Sequence, residues 1–235
     1  MSRLLIHVEG QTEEDFVNHV LRECLVARGY GSVAARIVGN ARLRRRRGGI
    51  RPWPSVRRDI VNHLRQDPGC IATTMVDYYG LPRAGDDAWP GRQRASGLRI
   101  DAAGKAASVE EALEADVIRE MGNRGDASRF VPFVVVHEFE GLLFSDCGAL
   151  SRSIYRPDLE KKFRRIRNGF ATPEEINDTP EGAPSKRIEA LVPDYEKPLF
   201  GSLAAIEIGL ESIRAECPHF RDWLGRLESA NPLTT

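Results

Sequence analysis

No two of the four cysteines, Cys24, Cys70, Cys147 and Cys217, form a CxxC pair. This spacing argues against a zinc knuckle or a disulfide framework and points to reduced thiols. No run approaches the roughly 18 apolar residues of a membrane-spanning helix. The amino terminus lacks a signal-peptide pattern. The expectation is a soluble cytoplasmic protein with no membrane contact. Internal repeats and low-complexity tracts are missing. So is a GxxxxGK[ST] phosphate loop, and nucleotide-driven control would have to come from another chain. Net charge is also absent: 34 Lys+Arg offset 34 Asp+Glu, and the total says nothing about partners.

What is present is patterning. With 41% hydrophobic residues in 235, the chain can bury one good core. Leu4–Val8 reads as a short buried strand. Thr12 and Asp15 can cap a helix on which Phe16, Val17, Val20, Leu21, Cys24 and Leu25 recur at helical spacing, with Gly29 as its stop. Val33–Val38 is a second strand, and Ser55 precedes a helix carrying Val56, Ile60, Val61 and Leu64. Cys70–Val76 is a third strand, ending at Asp77. Ser108 opens a further capping box for a helix through Met121, and Phe130–Val136 is a fourth strand. Gly80–Gly104 is too long for a simple connection. From about Ser151 the chain is helical, punctuated by prolines. The alternation predicts an α/β fold, a mainly parallel sheet covered on both faces, with a helical C-terminal extension. The expected division is residues 1–150 as the catalytic domain and 151–235 as the extension packed on it.

Such sheets place ligands beyond the carboxyl ends of their strands. Glu9, Asp77 and the pair Glu138 and Glu140 all lie just past strand ends, and Glu13 falls in the first helical turn after Glu9. Crowded carboxylates repel unless a cation offsets them. An oxygen-rich cluster suits Mg²⁺ or Mn²⁺, and two such ions can clamp the oxygens of a phosphodiester displacement. Plainer readings stand beside this one. The helix dipole alone favours Glu13, Asp77 can start a turn, and one of Glu138 and Glu140 can be a solvated acid or a cap.

The segments VEGQTEEDFV, VDYYGLP, HEFEGLLFSD, TPEEINDTPEGAPSKRI, YEKPLFG and CPHFRDWL resemble an uncharacterised Toprim-like bacterial family, often encoded beside ATPases in defence islands. A strand followed by Glu9-Gly10, a helix, and a later strand ending in aspartate is similar to the Toprim domain. The ExxxE of Glu9 and Glu13 is similar to the variant in OLD-family nucleases, where both glutamates serve metals. The resemblance implies a three-layer Toprim-like domain and a Mg²⁺- or Mn²⁺-dependent nuclease of an anti-phage or DNA-processing system. It also implies nucleic acid and a separately encoded ATPase as partners, with a homo-oligomer as a further expectation. Toprim sites carry Asp-x-Asp after the third strand, whereas Asp77-Tyr78-Tyr79 puts Tyr79 at the second position. The missing acid then comes from Glu138 or Glu140, or catalysis is lost and the protein is a nucleic-acid-binding or regulatory subunit.

Residues 1–70 hold 13 arginines against 7 acidic residues. Arg42, Arg44, Arg45, Arg46, Arg47 and Arg51 are the candidate phosphate contacts, and a solvated loop is the alternative. Nucleases of the resembled kind use a lysine to stabilise phosphorane charge, for which Lys197 is the first choice and Lys186 the second.

Overall fold

The computed structural model describes residues 1–38, 50–122, 126–177 and 182–230. Five parallel strands form its sheet: β1 (Arg3–Val8), β2 (Ser32–Ile37), β3 (Cys70–Asp77), β4 (Phe130–Val131) and β5 (Val134–Val135). The order is β2-β1-β3-β4, with β5 also pairing with β3. Register aligns Val8 with both Ile37 and Met75, and Asp77 with Val135. Parallel pairing therefore brings the ends of β1, β3 and β5 to one edge.

Alternation along the strands divides the core. Leu4, Ile6, Val8, Ile71 and Met75 face one layer. It is formed by α1 (Gln11–Phe16), α2 (Arg22–Ala27) and the C-terminal helices α6 (Cys147–Ser153), α7 (Glu160–Arg167), α9 (Ser202–Glu216) and α10 (Pro218–Ala230). Phe133 and Trp223 stack there, with ring centroids 4.3 Å apart. Ala72 and Val76 face the other layer, formed by α3 (Trp53–Gln66) and α5 (Ala102–Met121). Trp53 Nε1 donates to Asp116 Oδ2 at 2.7 Å and ties α3 to α5.

Several boundaries differ from the sequence reading. The first helix starts at Gln11, not after Thr12, because the Gly10 N–H donates to Glu13 Oε2 at 2.9 Å and so caps the turn. A π-helical stretch, Val17–Leu21, joins α1 to α2. α5 starts six residues before Ser108, at Ala102, because the Asp101 side chain accepts the Gly104 N–H. The expected Phe130–Val136 strand is split in two. Pro132 lacks the amide hydrogen a ladder needs, and Thr74 bridges the gap: its hydroxyl donates to the Phe133 carbonyl at 2.8 Å and accepts the Phe133 N–H at 3.0 Å. The Gly80–Gly104 segment contains the short helix α4 (Arg92–Ser96). No helix among the described residues is long and apolar enough to cross a membrane.

Candidate metal centre

Glu9 leaves β1 and turns towards β3, where its Oε2 accepts the Asp77 N–H at 3.2 Å. Gly80 makes room for it, since a Cβ there would meet Glu9 Oε2 at 2.9 Å and Oε1 at 3.0 Å. Asp77 Oδ1 accepts the Phe139 N–H at 2.9 Å, joining β3 to the turn after β5. That turn is made by His137 in the left-handed region, at φ 63°. It leads into a 3-10 helix, Phe139–Ser145, that buries Glu140 at 2% exposure. Lys197 Nζ donates to Glu140 Oε2 at 3.0 Å, and the Thr12 hydroxyl donates to the Lys197 carbonyl at 3.5 Å. Glu13, 7% exposed, stands in the first turn of α1.

The cluster is short of positive charge. Burial raises the pKa of Asp77 well above the carboxylate range, and Glu9, Glu13 and Glu140 add to the rise. Burial and then the Glu9 charge push Glu13 up to about 7. Burial also raises Glu9 and Glu140, against the pull of Lys197. Lys197 answers in the opposite direction. Burial alone would lower its pKa, but Glu140, Asp77 and Glu138 raise it, so the ammonium keeps its proton. Glu174 shows what a structural buried acid looks like here: its two oxygens accept the His219 and Phe220 N–H groups at 3.0 and 2.9 Å and cap α10.

The structure thus gathers Glu9, Glu13, Asp77, Glu140 and Lys197. Glu138 bears on the same site through its charge on Glu9, Glu140 and Lys197, while its Oε2 accepts the Ser185 N–H at 3.2 Å. Lys186 is not brought in. It is exposed on α8 (Pro184–Leu191) and pairs with Glu189 at 2.6 Å, three residues along the helix. Arg51 is not a free phosphate contact either, because it bonds Asp59 at 2.9 Å and the Ser55 hydroxyl. Arg42, Arg44, Arg45, Arg46 and Arg47 lie outside the described residues. Tyr79 stacks on the His137 ring, centroids 5.1 Å apart, and donates its N–H to the His137 carbonyl. Sequence reasoning missed Gly80 and Tyr195. Burial raises the pKa of the Tyr195 hydroxyl, and the charges of Glu140, Glu189 and Glu138 add to it. The only sequence signal for Tyr195 was its place two residues before Lys197.

Hard carboxylate oxygens are the donors that Mg²⁺ and Mn²⁺ take. Among the described residues, however, no three acidic, histidine or cysteine side chains converge to hold a metal as they stand. One oxygen of each clustered acid is engaged: those of Glu9, Asp77 and Glu13 by backbone amides and that of Glu140 by Lys197. The donor chemistry of these acids fits a divalent ion.

A family model described as a domain of unknown function, DUF4276, matches residues 8–228. No curated protein matches. Solved structures of the C-terminal region of the OLD protein from Xanthomonas campestris pv. campestris are similar to the chain. The iodine-phased one has a TM-score of 0.43 and 16% identity, covering 98% of this chain and 96% of that one. The platinum-phased one has a TM-score of 0.41 and 17% identity, covering 97% and 93%. A likeness at this level carries no functional argument.

Proposed function

The chain belongs to the DUF4276 family, and from its acid cluster we propose that it is a Mg²⁺- or Mn²⁺-dependent nuclease cutting phosphodiester bonds of DNA or RNA. One observation carries the reading: an all-parallel sheet brings Glu9, Asp77 and Glu140 to one edge beside Glu13, with Lys197 as the cation paired into the group. Buried carboxylates in such number oppose folding unless a cation joins them. The resemblance of Glu9-Gly10 and Asp77 to the Toprim domain supports the same reading.

Glu9, Glu13, Asp77 and Glu140 would hold the ions, with Glu138 at the rim. A bound divalent ion supplies Lewis acidity at the phosphoryl oxygens and lowers the pKa of attacking water. Glu9, fixed by the Asp77 amide, serves as ligand or as acceptor of the proton that water releases. Lys197 stays protonated and directs its remaining N–H bonds at charge developing on the phosphate. The amide bonds to Glu9 and Asp77 orient both carboxylates before substrate arrives. The resemblance adds a separately encoded ATPase as the partner that would supply nucleotide-driven control.

Purified protein with plasmid DNA and with RNA, in Mg²⁺, Mn²⁺ or EDTA, tests the proposal. Cutting should require metal and disappear in Glu9→Gln and Asp77→Asn. A second reading, a binding subunit that does not cleave, is favoured by Tyr79 standing where the Toprim pattern has an acid. Metal-independent binding without cutting would select it.

A further inference from the structure

A cavity of about 580 Å³ opens beside the acid cluster, and none of the clustered acids lines it. Its walls include Tyr78, Tyr79, Arg83, Arg92, Lys105 and His137. Tyr78 and Tyr79 follow Asp77 directly and His137 precedes Glu138, so cavity and cluster share two strand ends.

Arg92 is the unusual member. It is 1% exposed, and its partners are neutral. Nε donates to the Tyr78 carbonyl at 2.8 Å, Nη1 donates to Ser96 Oγ at 2.6 Å, and the guanidinium carbon lies 3.8 Å from the centre of the Tyr78 ring. No carboxylate among the described residues pairs with it. Burial lowers its pKa, and the charge of Arg83 adds to the effect. The side chains of Arg83 and Lys105 make no ion pair or hydrogen bond with other described residues. Two acids also line the space, Glu175 and Asp101, and Asp101 Oδ1 is committed to the Gly104 N–H at 2.7 Å. Enclosing a guanidinium without a counter-charge is costly, and an arginine fork is suited to the oxygens of a phosphate. Tyr79, 39% exposed, offers an aromatic surface at the rim.

We propose that this cavity is a nucleotide subsite, in which Arg92, Arg83 and Lys105 hold the phosphate next to the one being cut and Tyr79 stacks on its base. The proposal rests on the nuclease reading for its orientation relative to the acids. It names the substrate class as well. A space of this size is within the roughly 300–1,000 Å³ of sites that hold one small ligand, and a base must leave its duplex partner to enter it. The substrate is single-stranded, or frayed at an end.

The test measures binding of a fluorescent single-stranded hexanucleotide in EDTA, in an Asp77→Asn background that removes one repelling charge. Arg83→Ala with Lys105→Ala alters side chains outside the core. This double change should weaken binding at least tenfold and flatten the log–log salt dependence by about 0.7 for each phosphate no longer neutralised. Tyr79→Ala should cost about fivefold or more, and nothing further on a strand made abasic at the stacked position. Arg92→Lys keeps the charge without the fork and should weaken binding as well. Unaltered affinity in the double variant overturns the subsite, as does equal competition by a blunt duplex. The two proposals fail separately. Weakened binding by the variants of a protein that never cuts removes the nuclease and keeps the subsite, while cutting with unaltered binding in the variants does the reverse.

Discussion

Burying an ionisable side chain ties folding to pH, and the sign depends on which protonation state burial rejects. His7, on the central strand, is fully buried, with its Nδ1–H donated to the Thr73 carbonyl at 3.2 Å and its Nε2 without a hydrogen bond. Burial lowers its pKa from 6.5 to about 4, with His63 and Arg36 adding and Asp59 opposing. The unfolded chain therefore binds a proton that the folded chain refuses. Stability should be full above pH 6.5 and fall as pH drops towards 4, by up to about 3 kcal/mol. His7→Gln keeps a donor and does not titrate, so the difference between its urea denaturation curve and the wild-type curve should change across that window and flatten outside it. Glu13 has the opposite sign. Its folded pKa, about 7, exceeds its ordinary 4.5, so its contribution is full below pH 4.5 and is lost as pH rises through 7. In EDTA, Glu13→Gln should remove up to about 3 kcal/mol of that decline, and Mn²⁺ should cancel it in the wild type. A wild-type melting temperature indifferent to Mn²⁺ at pH 8 would argue against a metal centre. Gly80→Ala addresses the same cluster sterically. Its Cβ meets the movable end of Glu9, so melting temperature should shift little while calorimetric Mn²⁺ affinity drops at least tenfold.

Elements show how far sequence alone reaches. The strands through Val8, Ile37 and Asp77 were legible because β-rich apolar runs of this length allow few alternatives, and parallel pairing then dictated that Glu9 and Asp77 share an edge. The break at Pro132 was visible as a residue, but its repair by Thr74 reaches across 59 residues, and no local pattern encodes it. The start of α5 escaped because Ala102-Ala103-Gly104 offers no apolar period. Lys186 and Lys197 are alike in sequence, and only the chain's return past Glu140 separates them. Arg92 carries no signal in the sequence, because its burial at 1% exposure is wholly tertiary. α9 carries its own irregularity: Gly209 sits at φ 75° and ψ 163° inside the helix, and a Cβ there would touch nothing within 4 Å. Gly209→Ala should cost about 1–3 kcal/mol from the backbone alone, read by chemical denaturation, and leave Mn²⁺ affinity unaltered.

At the scale of the molecule, the two layers depend on each other unequally. The layer over Leu4, Ile6 and Val8 is completed by Phe220, Trp223, Leu224 and Leu227, near the far end of the sequence. A chain of residues 1–150 would therefore leave this apolar face covered only in part, by α1, α2 and the segment around Phe139, and it should bind hydrophobic dyes and lack a cooperative melting transition. A sharp transition in that fragment would show that the first 150 residues fold alone.

The order of synthesis gives that dependence a temporal meaning. Thr12 and Lys197 meet across 185 positions, so a ribosome makes the acids early and their balancing ammonium late. A chain stalled or clipped before residue 197 carries clustered carboxylates with no lysine beside them, and its core lacks Phe220, Trp223, Leu224 and Leu227. Such a fragment is poor at every task assigned to the finished site and a ready substrate for proteases. On the proposed reading, a site that needs Lys197 is complete only once synthesis has passed that residue, and shorter copies would not cut.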